Sequence, residues 1–403
     1  MALIVQKYGG TSVGSAKRIE KVAERIARTV ADGHLVAVVV SAMGHTTDEL
    51  VALAAAITDE PDRREMDVLL STGEQVSIAL VSMALQKSGL KAASFTGWQA
   101  GIETEPAHGG ARIQTIHPEV MQDFLAAGGT PVIAGFQGIA NGSITTLGRG
   151  GSDTTAVAVA AALKADLCEI YTDVEGVYTA DPRYVKNARR LDRISYEEML
   201  ELANLGSQVL HPRAVETAKK HGVALVVRST FSQNEGTVIT NMNSMENERV
   251  VTGVAFEKEV ARVALLKIPL GTPQLSHIFG SLAKERVNVD VILQSVVREG
   301  EVDVSFTVAE GDLDRAIAVC EGLAEVTEHK GVMHEKGLAK ISIVGAGMIS
   351  NPGVAAKMFT ALESSGAHVK MVSTSEIKVS CIVEQEFLQA GLDKVHETFE
   401  LER

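Results

Sequence analysis

The sequence predicts an α/β protein in two parts: an open, mostly parallel sheet between helices, then two small βαββαβ modules. Three observations carry this. First, Leu3 to Val5 reads as a short buried strand, residues 7–12 as a loop, 15–31 as a helix and Leu35 to Val40 as the next strand. A strand–loop–helix–strand unit of this kind implies parallel strands joined by a right-handed crossover. Second, a pattern recurs at a spacing of 80 residues: Ile278, Phe279, Leu282, Val289 and Ile292 return as Met358, Phe359, Leu362, Val369 and Val372. Each copy reads strand, turn, helix, strand, strand, helix. Third, aromatic residues are only 4% while Ala, Val and Gly abound, which suits tightly packed layers.

The elements follow in order. The 15–31 helix places Ile19, Val22, Ala23, Ile26 and Val30 at helical spacing, and Asp32-Gly33 closes it. Helices are expected at 48–57, 65–87 and 117–126, and strands near 91–96 and 131–134. Gly73 falls inside the second of these helices, where a glycine costs about 1 kcal/mol. Either close packing against a loop or ligand, or a kink, would accommodate it. The small residues from Ala156 to Ala165 read as a tightly packed helix, Leu167 to Thr172 as a strand ending at Asp173, and 176–183 as a loop. Residues 232–247 are polar and weakly patterned, as in a linker, and Val250 to Phe256 is an extra strand ahead of the first copy.

Composition excludes several classes. At 403 residues, 45% hydrophobic and 22% charged, the chain has room for two or three domains. A net charge of -13 argues against nucleic acid as a partner, because phosphate backbones need a basic surface. It leaves open an anionic substrate in a locally positive cleft. Cys168, Cys320 and Cys381 match no metal or disulfide spacing, and their odd number suggests reduced thiols. No apolar run reaches membrane-spanning length, and the N-terminus lacks a signal peptide's layout. No membrane partner is expected, and the cytoplasm is the expected location.

Candidate chemistry centres on Thr145-Thr-Leu-Gly-Arg-Gly-Gly-Ser-Asp-Thr-Thr155. Glycines let N–H groups turn toward an anion, the following helix adds partial positive charge, and Arg149 offers a planar fork for carboxylate or phosphate. A Gly-rich hairpin capped by Ser152 or Asp153 would read the same way. Lys7 stands at the carboxyl end of the first strand, the usual ligand edge of an open sheet, and Ser41 and Asp173 end strands on the same rim. The loop after Lys7 is no Walker A, because Ser15-Ala16 replaces Lys-Ser/Thr. No Gly-x-Ser-x-Gly elbow or Cys/His pairing supports a nucleophile; His117 and His211 precede prolines as loop or cap residues. Gly345-Ala-Gly-Met-Ile-Ser350 lacks the third glycine and distal acid of a dinucleotide fingerprint and reads as a turn.

Four ordered motifs together resemble the signature set of aspartokinases: Lys7-Tyr-Gly-Gly-Thr-Ser12, Ser71-x-Gly-Glu74, Gly148-Arg-Gly-Gly-Ser-Asp153 and Tyr171-Thr-Asp-Val-Glu-Gly-Val-Tyr-Thr-Ala-Asp-Pro-Arg183. The repeat, with Val372-Ser-Thr-Ser-Glu-Ile377, resembles that family's paired ACT domains, most of all the lysine-sensitive Gram-positive type. The resemblance spans nearly the whole chain. It implies an amino-acid-kinase fold over 1–240, a linker over 241–249, a first ACT domain over 260–337 inserted into a second made of 250–259 and 338–403.

The same resemblance implies ATP-dependent phosphorylation of the L-aspartate β-carboxylate, the first step of lysine, threonine and methionine biosynthesis. A carboxylate is already ionised at neutral pH, so the missing general base fits; what the site must overcome is repulsion between two anions. By the resemblance Lys7 bridges the transferring group, held by Asp153, while Gly9, Gly10 and Ser41 donate to phosphate oxygens. Arg149 takes the α-carboxylate and Glu74 the ammonium, with Thr47, Gly150 and Ser152 beside the substrate. Thr172, Asp173, Tyr178, Asp181, Arg183, Gln208 and Val209 line the nucleotide. Magnesium is implied by ATP, with no dedicated carboxylate cage and most ligands coming from phosphate and water. The sequence departs from the family at Gln208, where lysine is usual, and at Leu270–Gln274, where an Asp-x-Pro-Gly turn is usual. Lysine, with or without threonine, is the implied effector, contacting Asn288 and Gln294. Implied partners are further copies of the chain through ACT strands, with or without a shorter subunit started at Met242 or Met245. A catalytically weak amino-acid sensor is the alternative, although it would be expected to lose Lys7, Glu74, Arg149 or Asp173.

Overall fold

A computed structural model describes residues 1–207, 209–241, 249–270 and 274–403. Gln208, both internal methionine starts, most of the 241–249 linker and residues 271–273 lie outside the described residues. The chain forms two compact units, Met1–Tyr178 with Arg190–Met245 and Thr179–Arg189 with Glu246–Arg403.

The first unit opens with β1 (Leu3–Tyr8), α1 (Ala16–Ala31) and β2 (Leu35–Val40). The strand runs past Val5, so Lys7 is its penultimate residue and is buried there. Ser15 caps α1 by accepting the Arg18 N–H, and Ile19, Val22, Ala23 and Ile26 form its buried face. Each buried Ile or Val contributes about 1.5–3 kcal/mol, so Ile26→Ala would cost about 2–5 kcal/mol. Then come α2 (Thr46–Ala55), α3 (Arg63–Lys87), β3 (Ala92–Phe95), β4 (Ile102–Thr104), β5 (Ile113–Ile116), α4 (Glu119–Ala126) and β6 (Thr130–Ala134). The strands β7 (Gln137–Ala140) and β8 (Ser143–Thr146) form a hairpin before α5 (Gly151–Leu163) and β9 (Leu167–Thr172). The unit ends with β10 (Arg193–Ser195), α6 (Tyr196–Asn204), α7 (Pro212–His221), β11 (Leu225–Ser229) and β12 (Thr237–Thr240).

Eight strands make one sheet in the order β10-β12-β11-β9-β1-β2-β6-β3, and β5-β4-β7-β8 make a second. The large sheet is parallel except where β12 runs antiparallel to β11. The polar stretch read as a linker therefore contributes β12; its buried Thr237 and Ile239 alternate with half-buried neighbours, a short strand pattern diluted by the surrounding Ser and Asn. By length and composition alone α3 could cross a membrane. Its buried Asp67, Ser71, Gly73, Glu74 and Ser77 show a core helix instead.

The second unit begins with the excursion Thr179–Arg189. Thr179 Oγ1 and His396 Nε2 are 3.1 Å apart, the Val254 N–H donates to the Thr179 carbonyl, and Ala180 and Val185 are buried in this unit's core. The remainder is β13 (Gly253–Pro269), α8 (Gln274–Lys284), β14 (Ile292–Gln294), β15 (Glu301–Ala309), α9 (Leu313–Gly322), α10 (Ala324–Thr327), β16 (Gly331–Val344), α11 (Val354–Ser364), β17 (Met371–Thr374), β18 (Lys378–Glu384) and α12 (Leu388–Thr398). Both copies share one six-stranded sheet, β14-β15-β13-β16-β18-β17. Two long strands serve both copies. The 253–257 part of β13 pairs with the end of β16, and its 260–266 part pairs with the start of β16. The extra strand ahead of the first copy is thus continuous with that copy's first strand. Residues 346–349 form a 3-10 turn, as the missing glycine implied.

Candidate active site

The carboxyl ends of β1 and β2 and the amino end of α5 border a cavity of about 800 Å³ in the first unit. A parallel sheet gathers loops at that edge, and the helix terminus brings N–H groups without intrahelical acceptors. Lys7 reaches across from β1 to Asp153 in the first turn of α5, Nζ to Oδ1 2.6 Å, with both side chains nearly dry. Neither Ser152 nor Asp153 caps α5, as the hairpin reading had it. Gly150 takes the cap with φ +67, and a Cβ there would stand 2.2 Å from the His211 Cβ, so only glycine fits. His211 is itself the cap of α7, accepting the Arg213 N–H at Nδ1.

Gly73 is explained by close packing. A Cβ at that position would lie 2.8 Å from the Ala42 Cβ, so the glycine lets α3 approach the chain after β2. One residue on, Glu74 accepts the Ala42 N–H at Oε1 (3.0 Å), while Oε2 is buried with no hydrogen-bond partner among the described residues. Burial pushes its carboxyl up to about 7, against the pull of the Ala42 N–H. A carboxylate of this kind gains most from a cationic ligand at its free oxygen. Arg149 is exposed at the tip of the β8–α5 loop, with no acidic partner among the described residues.

The cavity unites Lys7, Gly10, Ser41, Thr47, Glu74, Arg149, Gly150, Ser152 and Asp153 from the sequence reading. Gly9, Thr172, Asp173, Tyr178 and Val209 do not line it. Gly9 bonds the Tyr171 carbonyl beside it, and exposed Asp173 accepts from the Thr172 hydroxyl. Asp181 and Arg183 fall in the second unit and pair with each other, Arg183 Nη2 lying 2.7 Å from Asp181 Oδ2. Burial would raise that carboxyl, but the Arg183 hydrogen bonds and charge hold it below its ordinary value. Asn288 and Gln294 are exposed, Gln294 ending the edge strand β14.

Sequence reasoning missed Asp67, His108, Gly109 and Phe136, and gave Thr146 no role within the Thr145–Thr155 stretch; all five line the cavity. Asp67 precedes Glu74 by seven positions, which is two helical turns and therefore the same face; that signal was available. Phe136 has φ +68, a strained backbone for a bulky residue, and such strain gathers at working sites. Nothing in its local sequence marks it. Among the described residues no group of three or more His, Cys, Asp or Glu could hold a metal ion.

The model of the amino acid kinase family matches residues 2–229, and an ACT domain model matches residues 341–399. Sheet, cavity and repeat agree with that class. The chain is 57% identical to an aspartokinase of Bacillus sp. (strain MGA3) over 402 residues, 100% of this chain and 98% of the relative. It superposes on E. coli aspartokinase III in complex with aspartate and ADP (R-state) with TM-score 0.82 at 26% identity, over 99% of this chain and 100% of that one. The E. coli enzyme in complex with lysine and aspartate (T-state) gives TM-score 0.77 at 27% identity, over 98% and 99% of the two chains. The chain belongs to the aspartokinases.

Proposed function

We propose that this chain transfers the γ-phosphoryl group of ATP to the β-carboxylate of L-aspartate, giving 4-phospho-L-aspartate and ADP. The observation that carries this is one cavity holding a dry Lys7–Asp153 pair, an exposed Arg149 and a buried Glu74 with a free oxygen. Those groups match an acceptor with two carboxylates and one ammonium. Arg149 takes the α-carboxylate, Glu74 the ammonium, and Thr47, Gly150 and Ser152 border the acceptor. One β-carboxylate oxygen forms a bond to γ-phosphorus as the bond to the ADP oxygen breaks, and no proton moves. Lys7, fixed by Asp153, neutralises charge that builds on the transferring oxygens, with N–H groups at Gly10 and the start of α5 and the Ser41 hydroxyl beside it; the Gly9 N–H is already given to the Tyr171 carbonyl.

By the resemblance the nucleotide contacts in this unit extend to Thr172, Asp173, Tyr178 and Val209. Magnesium comes with ATP by the resemblance, with phosphate and water supplying most of its ligands. The reaction opens lysine, threonine and methionine biosynthesis in the cytoplasm. Aspartate-dependent ADP release, measured over a panel of amino acids, tests this. Release that is equal for every acceptor, or absent with aspartate, overturns it.

The repeat acts as a lysine sensor, alone or with threonine, within an oligomer joined through ACT strands, with or without a shorter subunit. The exposed Gln294 amide on an edge strand suits an amino acid's main-chain groups. Gln294→Ala is expected to weaken lysine inhibition by about 5-fold or more while sparing uninhibited turnover. An unchanged inhibition curve removes Gln294 from the sensor. Intact-mass measurement of the native complex tests the shorter subunit, which a single full-length species would exclude.

A further inference from the structure

Asp67 is completely buried yet lies beside the cavity, on the face of α3 that also carries Glu74. Its carboxylate joins three elements. His108 Nδ1 lies 2.7 Å from Oδ2, the Gly109 N–H reaches both oxygens at 3.1 and 3.2 Å, and the Thr146 hydroxyl donates to Oδ1. The strap 108–111 is thereby tied to the end of β8. A second clasp stands opposite: Arg213 of α7 donates to the Leu147 carbonyl (2.6 Å) and the Ala111 carbonyl (2.9 Å). Between the clasps the Ala111 N–H donates to the Thr146 carbonyl. The strap also packs closely on the loop, since a Cβ on Gly148 would stand 3.3 Å from the Gly109 carbonyl oxygen. Arg149 is the next residue. Its guanidinium has no acidic partner among the described residues, so the clamped backbone of 146–148 is what sets its reach.

We infer that Asp67 is a positioning residue for the acceptor: by clamping the 108–111 strap to β8 it places Arg149 for the α-carboxylate. The inference rests on the phosphotransfer reading above. A buried carboxylate with three donors from two segments holds them far more stiffly than water could, and losing it lets the loop wander. The phosphate-facing groups Lys7, Gly10 and Ser41 stand at the ends of β1 and β2, outside the Asp67 hydrogen bonds.

The test measures steady-state rates of the full chain with aspartate and ATP varied in turn. Asp67→Asn keeps the side chain's shape but leaves one acceptor oxygen for three donors. It should raise KM for aspartate by about 10-fold or more, with KM for ATP within about 2-fold and saturated kcat within about 3-fold. Thr146→Val removes one donor and should shift KM for aspartate the same way by about 3-fold. In an Arg149→Ala background Asp67→Asn should add less than about 2-fold, because the group it places is gone. Equal rises in both KM values, a fall in kcat with unchanged aspartate KM, or full additivity with Arg149→Ala overturns the inference. If thermal unfolding shows that Asp67→Asn does not fold, Thr146→Val decides alone, by its rise or its lack of one. Absence of aspartate-dependent ADP release from the wild-type chain would instead sink the phosphotransfer reading.

Discussion

The Lys7–Asp153 and Arg183–Asp181 pairs have almost the same length, 2.6 and 2.7 Å, yet they are physically unlike. The first leaves its side chains 10% and 14% exposed, and the second leaves its arginine 70% exposed. The dry pair draws on two motifs far apart in the chain, whereas the wet pair sits within one turn of a single loop. Water screens the wet pair and competes for both partners, so its worth is about 0–1 kcal/mol. Breaking the dry pair leaves an uncompensated charge, at about 3–5 kcal/mol. Bond length therefore says little about which pair matters; burial says most of it. A phosphoryl transfer between two anions needs its cation where water does not weaken it.

The sharpest way to extend that comparison is the other dry group, Glu74. Succinate lacks the ammonium that would meet Oε2, so it should be used about 10⁴-fold less efficiently than aspartate. Comparable kcat/KM values for the two acids would remove Glu74 from acceptor binding. Next in size, Lys7→Ala should lower kcat by about two to three orders of magnitude with the fold intact. Turnover near wild type, in a variant whose circular dichroism is unchanged, would mean that the dry pair is only structural.

Glu74 also makes a stability prediction with a definite sign. Its folded-state pKa is raised from 4.5 to about 7, so the folded chain holds this proton more tightly than the unfolded chain does. Its contribution is therefore most favourable below pH 4.5, declines as pH rises to about 7 and is flat above that. The shift corresponds to about 3 kcal/mol. Glu74→Gln should accordingly make the free protein more stable at pH 8, by up to about 3 kcal/mol in denaturant unfolding, while weakening aspartate binding. A variant less stable than the parent at pH 8 would contradict the burial argument. The smallest effect belongs to the wet pair: Arg183→Ala should change unfolding free energy by no more than about 1 kcal/mol. A larger loss would show that the exposed pair is held more rigidly than its solvent contact implies.

Taken by itself, the sequence determined the order of layers, the repeat and nine of the residues that meet in the cavity. Periods of 2 and 3.6 residues are local properties, and so is a glycine-rich turn before a helix; both survive in a linear string. The short polar strand β12 escaped because its two buried positions are too few to show a period. Tertiary structure alone decided which residue caps α5, since Gly150 is dictated by His211 packing against it from another helix. It alone decided that Gly73 is a contact rather than a kink, that Thr179–Arg189 belongs to the second unit's core, and that Asp67 ties His108, Gly109 and Thr146 together. These are all close approaches between segments remote in sequence. No propensity or spacing records them, because the space left for an atom, and the water left around a charge, exist only once the chain has packed.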